Sequence, residues 1–146
     1  MKEYVAAFIF DLMGNRVLLI QKTKPAWQAG LYNGIGGKLE EDETPLDAVI
    51  REIKEEVNLD ITTWKNFASL EGDVCPDKGA GWKVHWFYTF TNKIANFKNN
   101  TDEIAEIFQT QLLPENTISN IPYLMHMALN FEKDRADFLQ IKEINY

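Results

Sequence analysis

Apolar and polar positions along this chain fall into blocks of different period, and the blocks predict strands first and a helix after them. Tyr4 to Phe10 is rich in aromatic and branched residues and reads as a buried strand. Asp11 to Asn15 supplies turn chemistry, with Gly14-Asn15 as its punctuation, and Arg16 to Gln21 reads as the returning strand of a hairpin. Residues 22 to 37 hold Pro25, Gly30, Gly34, Gly36 and Gly37 and read as a long loop, a kind of segment that often carries function.

The period then changes to that of a helix. Thr44-Pro45-Leu46-Asp47 offers an N-cap hydroxyl, a proline at the first helical position and an acid three residues after the cap. Leu46, Val49, Ile50, Ile53 and Val57 recur at helical spacing, and Asn58 suits the left-handed residue that ends a helix. Trp64 to Leu70 and Lys83 to Thr91 read as strands joined by a loop around Pro76, Gly79 and Gly81. Ile104 to Gln109 reads as a short strand, Pro122 to Phe131 as a second helix, and Phe138 to Ile141 as a last strand or a tail. Strands with a few helices and no regular βαβ alternation predict a mixed α/β sandwich.

Composition narrows the class. With 146 residues the chain suits one domain, 1–146, with a sizeable core. Hydrophobic residues at 45% and charged residues at 25% argue against disorder. No apolar run is long enough to span a bilayer, so no membrane partner is expected. The opening Met1-Lys2-Glu3-Tyr4 lacks the features of a signal peptide, which makes a cytoplasmic location the default. The single cysteine, Cys75, cannot form an internal disulfide and has no activating neighbour. A net charge of −7 opposes binding to a nucleic-acid polymer. It permits a small phosphorylated ligand, because bound divalent ions reverse the sign of a local acidic field.

Glu52, Glu55 and Glu56 stand at i, i+3 and i+4 on the first helix and so share a face, roughly opposite the apolar one. Like charges so placed cost stability unless something neutralises them. Two readings follow from the pattern alone. One is a solvated acidic face relieved in part by Arg51 and Lys54. The other is a platform for a hard divalent cation such as magnesium, which takes oxygen ligands and shares them with substrate phosphates. The glycines in Gly34-Ile35-Gly36-Gly37-Lys38 let backbone atoms approach a metal or phosphate closely, and Lys38 suits a phosphate oxygen.

Together these residues resemble the Nudix signature. Gly37 is followed after five residues by Glu43, and seven residues on stands Arg51-Glu52-Ile53-Lys54-Glu55-Glu56-Val57-Asn58-Leu59. The box spans 37–59 and departs from the family pattern at one specified position, where Asn58 replaces glycine. Asparagine is the next best residue for positive φ, so the loop–helix–loop is expected to survive. The resemblance implies an α/β/α sandwich around a mixed sheet. It also implies a magnesium-dependent hydrolase, with manganese as a substitute, that attacks a pyrophosphate bond with an activated water.

Site roles follow from the same resemblance. Glu52, Glu55 and Glu56 bind the metal, joined by the carbonyl of Gly36 or Gly37. Arg51 orients the glutamates, and Glu43 steadies the loop. The base that takes the water's proton is Glu52, Glu55, or Glu103 from a later loop, where some MutT-type members place a base or a further metal ligand. The competing reading of Glu103 is a surface acid near a strand end. In purine-triphosphate sanitising relatives of the 8-oxo-dGTPase type, the asparagine matching Asn33 contacts the base. Asn120 lies where MutT-type enzymes read the purine edge, and it equally suits the N-cap of the helix starting at Pro122. Trp27, Tyr123 and Phe67 are aromatic candidates for stacking, with packing as the alternative role. His85 and His126 lack metal-ligand partners at useful spacing and read as structural.

The substrate class implied is a nucleoside triphosphate. The alternatives are a diphosphate-linked compound such as ADP-ribose or a nucleotide sugar, for which Pro76 stands near a family marker, and a nucleotide-sensing module without catalysis. The intact glutamates oppose the latter. A diphosphate isomerase of the same fold needs more histidines than this chain has. Homodimers are common in the family.

Overall fold

The computed structural model describes residues 1–73, 81–132 and 139–143. Cys75, Pro76, Gly79 and Phe138 lie outside them. Among the described residues the sheet has eight strands: β1 (Lys2–Phe10), β2 (Arg16–Gln21), β3 (Tyr32–Asn33), β4 (Ile35–Lys38), β5 (Lys65–Gly72), β6 (Trp82–Phe90), β7 (Ile104–Gln109) and β8 (Leu139–Glu143). The described residues also form two α-helices, α1 (Pro45–Val57) and α2 (Ile121–Asn130).

β1 organises the sheet. It runs parallel to β6 from Lys2↔Trp82 to Phe10↔Phe90. Its other edge is divided between β4, opposite Tyr4 to Ala7, and β2, opposite Ile9 and Phe10. β2 carries β7 and β3, and β6 carries β5, to which β8 adds in parallel.

Alternation along β1 sends Val5, Ala7 and Ile9 into one core and Ala6, Phe8 and Phe10 into the other. The first core is closed by Ala48, Val49, Ile53 and Val57 of α1, and the second by Ile121, Leu124, Met125 and Ala128 of α2. The sheet is therefore buried on both faces between the helices, an α/β/α sandwich. Each large side chain buried there contributes roughly 1.5–3 kcal/mol.

α1 begins and ends as its sequence predicts. The Thr44 hydroxyl accepts from the Asp47 N–H at 3.1 Å, Pro45 opens the first turn, and Asn58 closes the helix at φ 59°. The chain after a 3-10 turn at Ile94–Asn96 folds back over this end, where the Lys98 and Asn100 N–H groups donate to the carbonyls of Val57 and Glu56. Those bonds satisfy carbonyls that a helix C-terminus leaves open.

Several sequence expectations need correction. The segment 22–37 is not a plain loop, because it contains a 3-10 turn at Ala26–Gln28 as well as β3 and most of β4. Leu46 is 44% exposed and outside the core. α2 starts at Ile121, and Asn120 does not cap it with its side chain. The reason is local. Asn120 has right-handed helical backbone angles, φ −83° and ψ −12°, instead of the extended conformation of a working cap, and Pro122 at the second helical position has no N–H to offer.

Candidate active site

The site is built where β4 runs into the loop before α1. Gly36 lies so close to β1 that a Cβ there would collide with the Val5 carbonyl oxygen. At Gly37 a Cβ would lie 2.5 Å from the carboxyl carbon of Glu52. Glu52 is thus turned inward against β4 and is only 8% exposed, unlike its helical neighbour Glu55, which points to solvent. The acidic face is not a uniformly solvated one. Burial pushes the Glu52 carboxyl above its ordinary range, against the opposing pull of Arg51.

Arg51 holds this corner together. Its Nε and Nη2 donate to the two oxygens of Glu43 at 2.7 and 2.8 Å, a two-pronged charge-assisted pair. Nη1 donates to Glu52 at 2.8 Å and to Glu55 at 3.1 Å, and Nη2 also reaches the Lys38 carbonyl at 3.1 Å. Glu43 in turn accepts from the Glu40 N–H at 3.0 Å. The bonds from Arg51 hold the Glu43 carboxyl down at about 2, with burial opposing. The same contacts raise the affinity of Arg51 for its proton. Fork and loop therefore stay locked at any ordinary pH.

The third helical acid, Glu56, accepts from the Thr101 hydroxyl at 2.9 Å. Two residues on, Glu103 is 8% exposed, so it is not the surface acid of the competing reading. Lys22 donates to its Oε1 at 2.8 Å, and the Thr23 N–H and hydroxyl donate to its Oε2 at 2.7 and 3.3 Å. Burial acts to raise the Glu103 pKa, but these donors outweigh it and the net shift is downward. Lys22 gave no signal in the sequence, because its partner lies 81 residues away.

Glu52, Glu55, Glu56 and the carbonyls of Gly36 and Gly37 form an all-oxygen donor set, the chemistry that magnesium and manganese take. The Glu52 carboxylate lies directly against Gly37, in the same corner. These residues fit such an ion in kind. Among the described residues no three acidic, histidine or cysteine side chains converge closely enough to enclose one. Arg51 draws Glu52 and Glu55 to itself, while Thr101 holds Glu56.

A cleft of about 480 Å³ opens beside this corner, and Gly36 and Gly37 form part of its wall. Lys22, Trp27, Asn33, Trp86 and Asn120 also line it. Trp27 is 58% exposed. The Asn33 carboxamide is tied down, with its oxygen accepting from the Gly34 N–H at 2.7 Å and its nitrogen donating to Gln28 at 3.1 Å. The Asn120 Oδ1 is buried with no partner among the described residues. Phe67 is fully buried in the α2-side core and cannot stack on a ligand. Tyr123 is exposed and does not line the cleft, and the Lys38 side chain projects to solvent outside it. His85 binds Glu3 at 2.8 Å, and His126 lies beside Asn130 on α2. No described helix is long and apolar enough to cross a membrane.

Comparison with known proteins gives a consistent set of matches. A family model described as the NUDIX domain matches residues 2–131. The chain is 36% identical over 61 residues to an 8-oxo-dGTP diphosphatase of Proteus vulgaris, which is 42% of this chain and 54% of that one. It is 38% identical over 74 residues to a CTP pyrophosphohydrolase of Escherichia coli (strain K12), 51% of this chain and 53% of that one. The chain thus spans about half the length of these curated relatives. Among solved structures, the dihydroneopterin triphosphate pyrophosphohydrolase of E. coli superposes with a TM-score of 0.69 at 18% identity, covering 92% of this chain and 96% of that one. A MutT protein from Bacillus halodurans superposes at 0.67 with 17% identity, covering 99% and 91%. At such identities these two likenesses speak for the fold.

Proposed function

The chain belongs to the NUDIX family, and from that premise we propose that it hydrolyses a nucleoside triphosphate to the monophosphate and pyrophosphate. The observation that carries this reading is the shared wall. Gly36 and Gly37 both line the cleft and Gly37 lies directly against Glu52, so a base in the cleft places its phosphates beside the acidic helix. The volume suits a small ligand. The two curated relatives carry nucleoside triphosphates in their names and differ in the base, an oxidised purine in one and cytosine in the other.

Glu52, Glu55 and Glu56, with the carbonyl of Gly36 or Gly37, would hold magnesium or manganese. When bound, the ion supplies charge neutralisation on the phosphates and acidity to the attacking water. The protein's own residues do the rest. Arg51 fixes the direction of Glu52 and Glu55 through bonds that its fork to Glu43 keeps in place. Glu52 has one oxygen on Arg51, and its burial favours taking a proton, which suits the acceptor of the water's proton. In this arrangement both oxygens of Glu103 are engaged, so Glu103 is better placed to hold Lys22 at the cleft than to receive a proton. Lys38 supplies a cation at the loop for phosphate. Asn33 and Asn120 face the base, with Trp27 at the mouth. The free Asn120 amide can donate and accept at once, which suits an oxidised guanine.

The test is phosphate release with magnesium across canonical and oxidised nucleoside triphosphates, ADP-ribose, nucleotide sugars and dinucleoside polyphosphates. Glu56→Gln serves as the control. Turnover of a triphosphate that falls at least about 100-fold in the mutant supports the reading, in line with the loss of a group that acts in the transition state. Preference for diphosphate-linked compounds replaces the substrate class, and equal turnover by the mutant at saturating magnesium overturns the metal assignment.

A further inference from the structure

One wall of the cleft carries a relay of amides whose direction is forced. The Gly34 N–H donates to Asn33 Oδ1 at 2.7 Å, and Asn33 Nδ2 donates to Gln28 Oε1 at 3.1 Å. Gly34, Asn33 and Gln28 all line the cleft. A backbone N–H can only donate, so the Asn33 atom that it meets is the oxygen. The Asn33 nitrogen is then turned towards Gln28, where only the Gln28 oxygen can accept. Gln28 Nε2 is the free end of the relay. It makes no hydrogen bond among the described residues. The buried side-chain atoms without a partner there are Ser69 Oγ, Trp86 Nε1 and Asn120 Oδ1. Gln28 Nε2 is not one of them, and the residue is half-buried, so this nitrogen is open to solvent.

The backbone beneath the amide is fixed. The Gln28 N–H donates to the Pro25 carbonyl, and the Gln28 carbonyl accepts from the Leu31 N–H. Gly30, two residues on, is tied to Lys22, Gln21 and Asn116. A donor held in this way loses little freedom when it binds a ligand. Turning the amide over would set its N–H against that of Asn33, so Gln28 offers hydrogen to the cleft and not oxygen. Its position suits the base. Asn33 stands four residues before Gly37, up to roughly 13 Å of extended chain from the acidic corner.

We propose that the Gln28 carboxamide nitrogen is a specificity-determining donor of the base site, aimed by Asn33. It reads an exocyclic carbonyl oxygen on the edge of the nucleobase. This rests on the nucleotide reading above and adds a residue to it. Asn33 becomes a positioning residue that acts through Gln28. Discrimination at Gln28 has one sign. A base with a carbonyl facing the amide is accepted, and one with an amino group there sets N–H against N–H and is rejected.

The experiment measures kcat/KM on three pairs of nucleoside triphosphates, with hypoxanthine and adenine, guanine and 2,6-diaminopurine, or uracil and cytosine as the bases. Each pair exchanges one exocyclic carbonyl for an amino group, and the adjacent ring nitrogen changes from donor to acceptor. Wild type is expected to prefer the carbonyl member by about five- to tenfold, the worth of one hydrogen bond. Gln28→Glu keeps the oxygen that faces Asn33 and replaces the free donor by an acceptor, so its preference should pass to the amino member. Asn33→Asp should reverse the preference too, with Gln28 unaltered, because a carboxylate there accepts from Gln28 Nε2 and turns the Gln28 oxygen to the cleft. A merely structural role for either residue would lower both members of a pair alike. A wild-type preference for amino members, or ratios unchanged in Gln28→Glu, overturns the inference and leaves the hydrolase reading standing. Reversal in Gln28→Glu without reversal in Asn33→Asp overturns the aiming role of Asn33. No turnover of any triphosphate by wild type overturns the hydrolase reading and the inference with it.

If the variants fail to fold, the Gln28 side-chain amide signals of the unaltered protein decide, read by nitrogen-15 NMR. They should move downfield with inosine monophosphate and stay in place with adenosine monophosphate. Identical responses to both ligands would sink the inference.

Discussion

The carboxylate of Glu52 occupies the space in which a side chain at Gly37 would begin, 2.5 Å from an ideal Cβ. Its neighbour Gly36 faces the opposite way, into the backbone of Val5. The two glycines are consecutive, yet they are needed for different reasons. Gly37→Ala meets the far end of a side chain that can move, so stability should drop by only about 1 kcal/mol, while displacement of Glu52 should cut turnover about 100-fold. Gly36→Ala meets backbone, and should cost on the order of 2–4 kcal/mol of stability through the β1–β4 pairing. Urea unfolding beside kcat separates the two. Equal effects on both quantities in both variants would refute the assignment.

The pair between Glu43 and Arg51 sets the acid limit of the fold. The Glu43 carboxyl is held at about 2 against an ordinary value of 4.5, so between these values the unfolded chain binds the extra proton. Stability from this pair is full above 4.5 and is lost as pH falls towards 2. Glu103, also depressed, adds to the same trend. Glu43→Gln should lower the stability of the protein at neutral pH and flatten its dependence on pH in that window. Denaturation curves at a series of pH values check this, and a slope identical to wild type would contradict it.

Lys22 and Glu103 form an ion pair with side chains 18% and 10% exposed. Removing one partner strands the other. Lys22→Met should cost about 2–4 kcal/mol, somewhat less than a fully buried pair because the ammonium keeps some water. Adding Glu103→Gln to that variant should return part of the loss, since a neutral amide needs no cation. Thermal melts of the single and double variants give the answer, and additive losses would argue against the pairing energy.

Asn120 precedes α2 without capping it, and its buried side-chain oxygen has no partner among the described residues. Asn120→Ala should therefore leave the melting temperature within about 1 °C of wild type, whereas loss of a working cap, about 1 kcal/mol, lowers it by roughly 2–4 °C in a chain of this size. The ratio of kcat/KM between purine and pyrimidine triphosphates should change instead. A fall in stability with an unaltered base ratio would reverse the assignment.

What the sequence revealed follows from the range of each interaction. α1 was legible to its caps, because Thr44, Pro45, Asp47 and Asn58 act within one turn of where they stand. The contact between Glu43 and Arg51 spans eight residues and came with the motif. β4 has the sequence of a loop, since Ile35-Gly36-Gly37-Lys38 has little strand propensity of its own. It is a strand because β1 supplies the partner, and its glycines permit the close approach. The same is true of the ties from Lys22 to Glu103 and from Thr101 to Glu56, which join segments distant in sequence. Asn120 fails as a cap because its backbone is already turned into the helical region, a fact of backbone course that residue type does not disclose.

β1 has a further consequence for how this chain finds its arrangement. In a strand wet on one side, a slip by one residue is punished because it exposes oil and buries charge. β1 has no such safeguard over Val5 to Phe10, where every residue is apolar and buried. What differs between its sides is bulk. Val5, Ala7 and Ile9 are slim and aliphatic, while Phe8 and Phe10 are broad rings. Alignment here is specified by volume, with the ring-sized spaces on the α2 side and the tighter ones beneath α1. A shift by one would present phenyl groups to the layer that carries Glu52 and Arg51 and push that helix outward, so the thickness of a hydrocarbon layer decides whether the acids meet the glycines at all.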